Sequence, residues 1–388
     1  MTAINYARQD IIQEDIDAVV EVLKSDMLTQ GPMVPKFEDS VSKYVGVNHA
    51  VATNSATSAL HIACLALDIK KDDVVWTSAI TFVASANCAL YCGAKVDFVD
   101  IDPSTYNMCT SKLEEKLENA KKNNCLPKVV IPVHLCGQSC DMHSIFELSK
   151  KYGFKIIEDA SHAIGGRYKD QPIGSCKYSD ITIFSFHPVK IITSGEGGMA
   201  VTKSRDIYKK LSLYRSHGIT GIKEDMIETP QNETWNYQQL RLGFNYRMTD
   251  IHAALGISQM NRIDEFVTKR HHIAARYDDE LSSLNIKIPL QNDFNYSAFH
   301  LYVIRADLKK LNKTHNEIYK SICEKSVHVN LHYIPVYRQP YFQNLGFEIG
   351  YCPESEKYFQ EALSIPMYPS MTDDQQDKVI SVLKDVLS

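Results

Sequence analysis

Lys190 is the residue in this chain best placed for covalent chemistry. It lies in IFSFHPVKIITSGEGGMAV, residues 183–201, where an apolar strand-like run ends and a Gly-rich turn leads into another. An amine fixed just beyond a strand end suits a Schiff base with an aldehyde. Apart from His187, Lys190 is the only charged candidate between Ile181 and Ser194. If that stretch is buried, the amine needs a partner. The plain alternative is a solvated lysine.

Three other segments carry polar groups at element ends. In IIEDASHA, residues 156–163, an apolar strand stops abruptly at Glu158, Asp159 and His162. Ligands of open parallel sheets sit beyond such strand ends, and a carboxylate there can hold a protonated ring nitrogen. The alternative is a carboxylate that caps the next helix. In NSATSAL, residues 54–60, Asn54, Ser55 and Thr57 precede an apolar helix. A helix N-terminus offers unpaired N–H groups and partial positive charge, which suits a phosphate. Read alone, it is an ordinary N-cap. In LGFNYRMTDIHAALGISQM, residues 242–260, Asn245, Tyr246 and Arg247 precede a helix with small residues at Ala253, Ala254 and Gly256.

The elements around these segments follow from periodicity. Short runs rich in Val, Ile and Phe at 74–80, 95–99, 129–134, 154–158, 181–186 and 198–202 predict strands. Helical spacing predicts helices at 13–25, 33–45, 57–67, 82–92 and 142–152. The alternation from about residue 48 to 215 predicts a mainly parallel sheet covered on both faces. Residues 220–246 form a long polar connector. Helices are expected at 249–260, 262–284, 313–324 and 373–387, with strands at 299–305 and 327–333, as a smaller α+β unit.

Composition narrows the function classes. The chain has 388 residues, 44% apolar and 23% charged, with formal charge −5. That length fits two or three structural units. The acidic balance argues against a nucleic-acid binder with a broad basic face. No basic segment followed by an apolar run opens the chain, and no run suggests a membrane span. We therefore expect a cytoplasmic protein with reduced thiols, no membrane contact and no nucleic-acid partner. The ten cysteines, with His134, Cys136 and Cys140 grouped, lack the paired spacing of a zinc site, so no metal is expected.

Together these motifs resemble the DegT/DnrJ/StrS family of sugar aminotransferases across essentially the whole chain. The likeness runs from ARQDI and LTQGP through NSATSAL, AITFVASANCALYCGAKVDFVDID, HLCGQSCDM, EDASHAIGG and FSFHPVKIITSGEGG to GFNYRMTDIHAALG. HYIPVY and SIPMYP match near the C-terminus. The resemblance implies a fold-type I, pyridoxal-phosphate-dependent architecture: α/β, a large domain with a mainly parallel seven-stranded sheet, and a smaller C-terminal α+β domain. Residues 1–250 would carry the N-terminal helices and the large cofactor domain, and 251–388 the small one.

The same resemblance implies residue roles. Lys190 would carry pyridoxal 5'-phosphate as a Schiff base, and Asp159 would pair with its ring nitrogen. Phe82 would stack on the ring, with His162 beside it and Gln138 near its 3-hydroxyl. Thr57, Ser58 and Ser185 would bind the phosphate, joined by Asn245 from a neighbouring subunit of a homodimer. Substrate contacts are expected from Thr29, Gln30, His217, Arg247, His332 and Tyr333. The diphosphate candidates are Arg241, Arg247, His332 and Arg338.

The implied reaction is transfer of an amino group from L-glutamate to C4 of a nucleotide-linked 4-keto-6-deoxy sugar. In the segments MLTQGP, ITFVASAN, FHPVKIIT, YRSHGIT and LGFNYRMTDI, with Trp235 and Tyr237, the chain resembles family members that act on a UDP-linked N-acetyl sugar, and the resemblance implies that substrate. A GDP- or dTDP-linked sugar would use the same catalytic residues. A dehydratase of this fold would carry His in place of Lys190. A non-catalytic regulator would usually add a DNA-binding domain, and a nicotinamide enzyme would want G-x-G-x-x-G, which is missing.

Overall fold

The computed structural model describes residues 3–227 and 233–388. Its centre is a seven-stranded sheet. The strands are His49–Thr53, Val74–Ser78, Lys95–Val99, Val129–Ile131, Lys155–Asp159, Ile181–Ser185 and Gly198–Thr202. In space the order is 49–53, 198–202, 181–185, 155–159, 129–131, 74–78, 95–99. Gly198–Thr202 runs antiparallel to both neighbours, and the other adjacent pairs are parallel. The six expected strands appear within a few residues of their bounds, and His49–Thr53 adds an edge.

Alternation along each strand divides the core into two faces. Val129 and Ile131 pack with the helices Ala56–Ala66, Ala84–Tyr91 and Arg205–Arg215. Val130 packs on the other face with Thr110–Lys122 and Met142–Tyr152. Apolar residues on both faces explain why these strands read as unbroken runs rather than as alternating ones.

The N-terminal helices join the large unit. Met33–Val45 buries Val34, Phe37, Val41 and Val45 at helical spacing and ends at Gly46, whose φ of 74° is left-handed. Phe37 lies under Gly256, where an added Cβ would sit 2.6 Å from the ring. This is the close approach that small residues on helix Asp250–Met260 allow.

Packing near the expected boundary at residue 250 is continuous. Met248, Ala253, Met260, Ile263, Phe266 and Val267 share a core with Phe37, Phe184 and Phe186 of the large unit. The later turns of helix Ile263–Leu281, from Ile273 to Leu281, enter the small-unit core with Tyr302, Ile318, Leu363 and Leu383. One continuous helix therefore passes from one unit to the other. Ile4 also belongs to the small-unit core, so the chain's first segment lies outside the large unit.

The small unit holds strands Ile286–Lys287, Tyr302–Ala306 and Ala362–Ile365 in one sheet. The strand expected at 327–333 reduces to isolated bridges, Val327 to Ile4 and Asn330 to Ser364. Within the expected long connector, residues 228–232 lie outside the described residues, whereas Trp235 and Tyr237 are exposed. Among the described residues no helix is long and apolar enough to cross a membrane.

Candidate active site

The polar residues singled out in the sequence converge on the C-terminal edge of the parallel strands. Asp159 ends strand Lys155–Asp159, and Ile183 is its register partner on the next strand. Its carboxylate is buried and held on both oxygens. Ser85 Oγ donates to Oδ2 at 2.6 Å. The Ser161 backbone N–H and Oγ donate to Oδ1 at 3.1 and 2.6 Å. Glu158 points to the other face of the sheet, where its carboxylate meets His134 Nε2 at 2.8 Å. The motif alone left these two acids unsorted and the resemblance chose Asp159; strand alternation separates them.

Lys190 lies in a turn whose backbone N–H donates to His187 O at 2.9 Å. Its side chain is half-buried, and Nζ has no hydrogen bond or ion pair among the described residues. Burial pushes the amine down to about 8, with Asp159 opposing the shift. Part of the population is thus neutral near neutral pH, as a proton carrier requires.

Three buried imidazoles surround this amine. His162 Nδ1 accepts the Cys136 N–H at 3.3 Å, and its Nε2 lies 3.1 Å from the Tyr333 hydroxyl. The His300 ring packs 4.4 Å from that of His162. His332 Nδ1 pairs with Ser364 Oγ at 2.8 Å. Burial pushes His162 and His300 well below the ordinary imidazole range. The Lys190 charge adds to the shift at His162, and that of His162 followed by Lys190 at His300. Burial and then Lys190 bring His332 down to about 4. Buried Arg270, with Nη1 donating to the carbonyls of Phe299, His300 and Met367, fixes the His300 backbone.

An anion cradle forms where Ser55 caps helix Ala56–Ala66 by accepting the Ser58 N–H at 3.2 Å. Ser58 Oγ donates to Asn54 Oδ1 at 2.7 Å. The N–H groups of Ala56 and Thr57 have no acceptor among the described residues. Register sets Thr53, Gly198 and Ser185 side by side below this turn. A Cβ on Gly198 would stand 2.4 Å from Ala56 N. The missing side chain lets the helix N-terminus reach the sheet edge beside Ser185.

The other predicted residues scatter more widely. Phe82 is exposed just before helix Ala84–Tyr91, with its ring centroid 6.1 Å from that of Tyr333. Gln138 is buried, and its amide is engaged elsewhere: Nε2 donates to Leu290 O and Oε1 accepts the Asn292 N–H, both at 2.8 Å. It ties the 290–295 segment to the large unit. Asn245 is exposed, in a segment bridged to Ser216. His217, exposed at φ 58°, lies beside that segment, its N–H donating to Phe244 O. Thr29 and Gln30 are exposed in a turn held by buried Asp250, which accepts the Gly31 and Met33 N–H groups at 2.8 and 2.7 Å. Of the cations, Arg338 pairs with Glu356, Arg241 reaches the Tyr214 hydroxyl, and half-buried Arg247 has no polar partner among the described residues.

Sequence reasoning missed Ser85, Ser161, His300, Arg270 and Tyr6. The Tyr6 ring stands 5.2 Å from that of His332. Ser161 had a signal, since it lies between Asp159 and His162. The others depend on contacts far apart in sequence.

An unpartnered amine, a buried carboxylate pinned by neutral donors, and free helix N–H groups match the chemical needs of pyridoxal phosphate. Comparisons agree with that fit. A family model described as the DegT/DnrJ/EryC1/StrS aminotransferase family matches residues 9–384. The chain is similar to the UDP-4-amino-4,6-dideoxy-N-acetyl-beta-L-altrosamine transaminase of Campylobacter jejuni, 38% identical over 374 residues, covering 95% of this chain and 93% of that protein. It is similar in structure to Helicobacter pylori PseC, an aminotransferase of pseudoaminic acid biosynthesis, with TM-score 0.89, 28% identity, and coverage of 100% and 99% of the two chains. A Streptococcus pneumoniae protein described as a sugar aminotransferase, in its PLP-form, gives TM-score 0.87 at 29% identity over 100% of both chains.

Proposed function

This chain belongs to the DegT/DnrJ/EryC1/StrS aminotransferase family, and from that premise we propose that it aminates C4 of a nucleotide-linked 4-keto-6-deoxy sugar, with L-glutamate as donor. It is a pyridoxal-phosphate-dependent sugar aminotransferase. The proposed substrate is UDP-2-acetamido-2,6-dideoxy-β-L-arabino-hex-4-ulose. The product would be the UDP-linked 4-amino-altrosamine of pseudaminic acid synthesis. The activities of the Campylobacter and Helicobacter relatives support this choice.

The observation that carries the chemistry is the unpartnered Lys190 amine, held down to about 8 near the buried Asp159 carboxylate. When bound, pyridoxal phosphate supplies an aldehyde carbon and a ring that accepts electrons. Lys190 would hold the cofactor, and its Nζ would accept a proton from the donor α-carbon and deliver one to the sugar carbon. Asp159 directs its charge at the ring nitrogen. His162 orients the ring edge as a neutral imidazole, and Phe82 covers a ring face. Thr57, Ser58 and Ser185, with the free N–H groups of helix Ala56–Ala66, hold the phosphate. Gln138, its amide taken up by the 290–295 backbone, would stand near the ring 3-hydroxyl.

Asn245 completes the phosphate site of the neighbouring subunit in a cytoplasmic homodimer. Thr29, Gln30, His217, Arg247, His332 and Tyr333 bind the nucleotide sugar. A panel of UDP-, GDP- and dTDP-linked 4-keto sugars, each supplied with glutamate, tests the assignment. Amination of the UDP-linked N-acetyl sugar at the highest kcat/KM is expected. Turnover of a GDP- or dTDP-linked sugar alone would replace the substrate and leave the family unchanged.

A further inference from the structure

Asp159 does not stand alone: it ends a chain of hydroxyls that begins beside Phe82. Thr81 Oγ1 lies 2.8 Å from Ser85 Oγ, which lies 2.6 Å from Asp159 Oδ2. All three residues are buried. A carboxylate accepts and does not donate, so the single Ser85 proton goes to Asp159, and Thr81 is the donor to Ser85. Ser161 supplies two further donors to the other oxygen.

We propose that Ser85 is a positioning residue that sets the Asp159 carboxylate and couples it, through Thr81, to the neighbouring Phe82. The proposal rests on the reading of Asp159 as partner of the cofactor ring nitrogen. Ser85 occupies the first turn of helix Ala84–Tyr91, and Thr81 and Phe82 lie just before it. The helix start, the residue that covers the ring and the acid at the ring nitrogen therefore move as one unit. The neutral donors leave each oxygen acceptor capacity for a ring N–H. Without the Ser85 hydroxyl, Oδ2 loses the contact that orients it, and the carboxylate meets a ring cation in a less favourable geometry.

The test compares wild type with Ser85→Ala and Thr81→Val. The first readout is the dissociation constant of pyridoxal phosphate by spectral titration. The second is the ring-nitrogen pKa, from the nitrogen-15 shift of labelled cofactor bound to each protein. Ser85→Ala is expected to weaken cofactor binding about tenfold and lower the ring-nitrogen pKa by about one unit. Thr81→Val keeps the direct bond and should shift both in the same direction by less. A merely structural serine would change thermal stability and leave the ring-nitrogen pKa in place. Unchanged affinity and pKa in folded Ser85→Ala would overturn the proposal. Should Ser85→Ala not fold, an unchanged pKa in Thr81→Val would overturn it equally. Failure of wild type to bind the cofactor would overturn the site reading as well.

Discussion

His162 Nε2 and the Tyr333 hydroxyl lie 3.1 Å apart, and the Cys136 N–H on Nδ1 decides which of them gives the proton. Since Nδ1 accepts a backbone hydrogen bond, the neutral ring carries its proton on Nε2 and donates to Tyr333. The Tyr333 proton is then free to point at an acceptor beyond the chain. A protonated His162 would lose the Cys136 bond and face the Lys190 charge.

The first prediction concerns acid. His162, His300 and His332 all have folded pKa values below their unfolded ones. The unfolded chain therefore binds protons first as pH falls. Stability is full above about pH 6.5 and declines below it, for His332 down to about pH 4. Each imidazole that stays neutral adds a slope of about 1.4 kcal/mol per pH unit. Imidazole C–H resonances of the folded protein should stay fixed for these three between pH 7 and about 5.5. Titration of His162 near the ordinary value would refute the assignment.

The second concerns Gly198. A Cβ there meets backbone atoms of Ser55 and Ala56 at 2.4–2.5 Å, so the helix start must move. Gly198→Ala is expected to cost about 1–3 kcal/mol in urea unfolding. It should weaken pyridoxal phosphate binding at least tenfold while hardly changing the affinity for pyridoxal without phosphate. Equal losses for both ligands would place the phosphate elsewhere.

The third concerns Asp250, which holds the turn bearing Thr29 and Gln30. Asp250→Ala leaves the Gly31 and Met33 N–H groups without their acceptor, at about 1–3 kcal/mol each if they stay buried. KM for the nucleotide sugar should rise about tenfold, with the glutamate half-reaction unchanged. A matching loss in the glutamate half-reaction would detach the turn from sugar recognition.

The fourth concerns Asn245. If it serves the neighbouring subunit, mixing inactive Lys190→Ala with impaired Asn245→Ala rebuilds one intact site in each hybrid dimer. Random re-pairing should restore about a quarter of wild-type activity. A site contained within one chain would restore none.

The strands were legible because double-sided burial writes apolar runs, and the acid, amine and capping residues were legible because polar groups interrupt those runs. Helix Thr110–Lys122 was not singled out, since only Leu113, Leu117 and Ala120 face inward on a charged segment. Gly198–Thr202 reads as a strand, but its antiparallel direction has no local signature. That helix Ile263–Leu281 runs from one core into the other was not legible, since no Gly or Pro marks the passage. Ser85 reads as one more small helix residue in TFVASAN; its partner Asp159 lies 74 positions away. Gln138 was assigned by likeness, and only the fold reveals that the 290–295 backbone takes up its amide.

The most direct measurement follows nitrogen. Glutamate labelled with nitrogen-15 is incubated with the holoenzyme and the UDP-linked N-acetyl 4-keto sugar, and the sugar product is weighed by mass spectrometry. The label is expected in the sugar amine for wild type and absent for Lys190→Ala. An unlabelled sugar from wild type, or full labelling by Lys190→Ala, would contradict it.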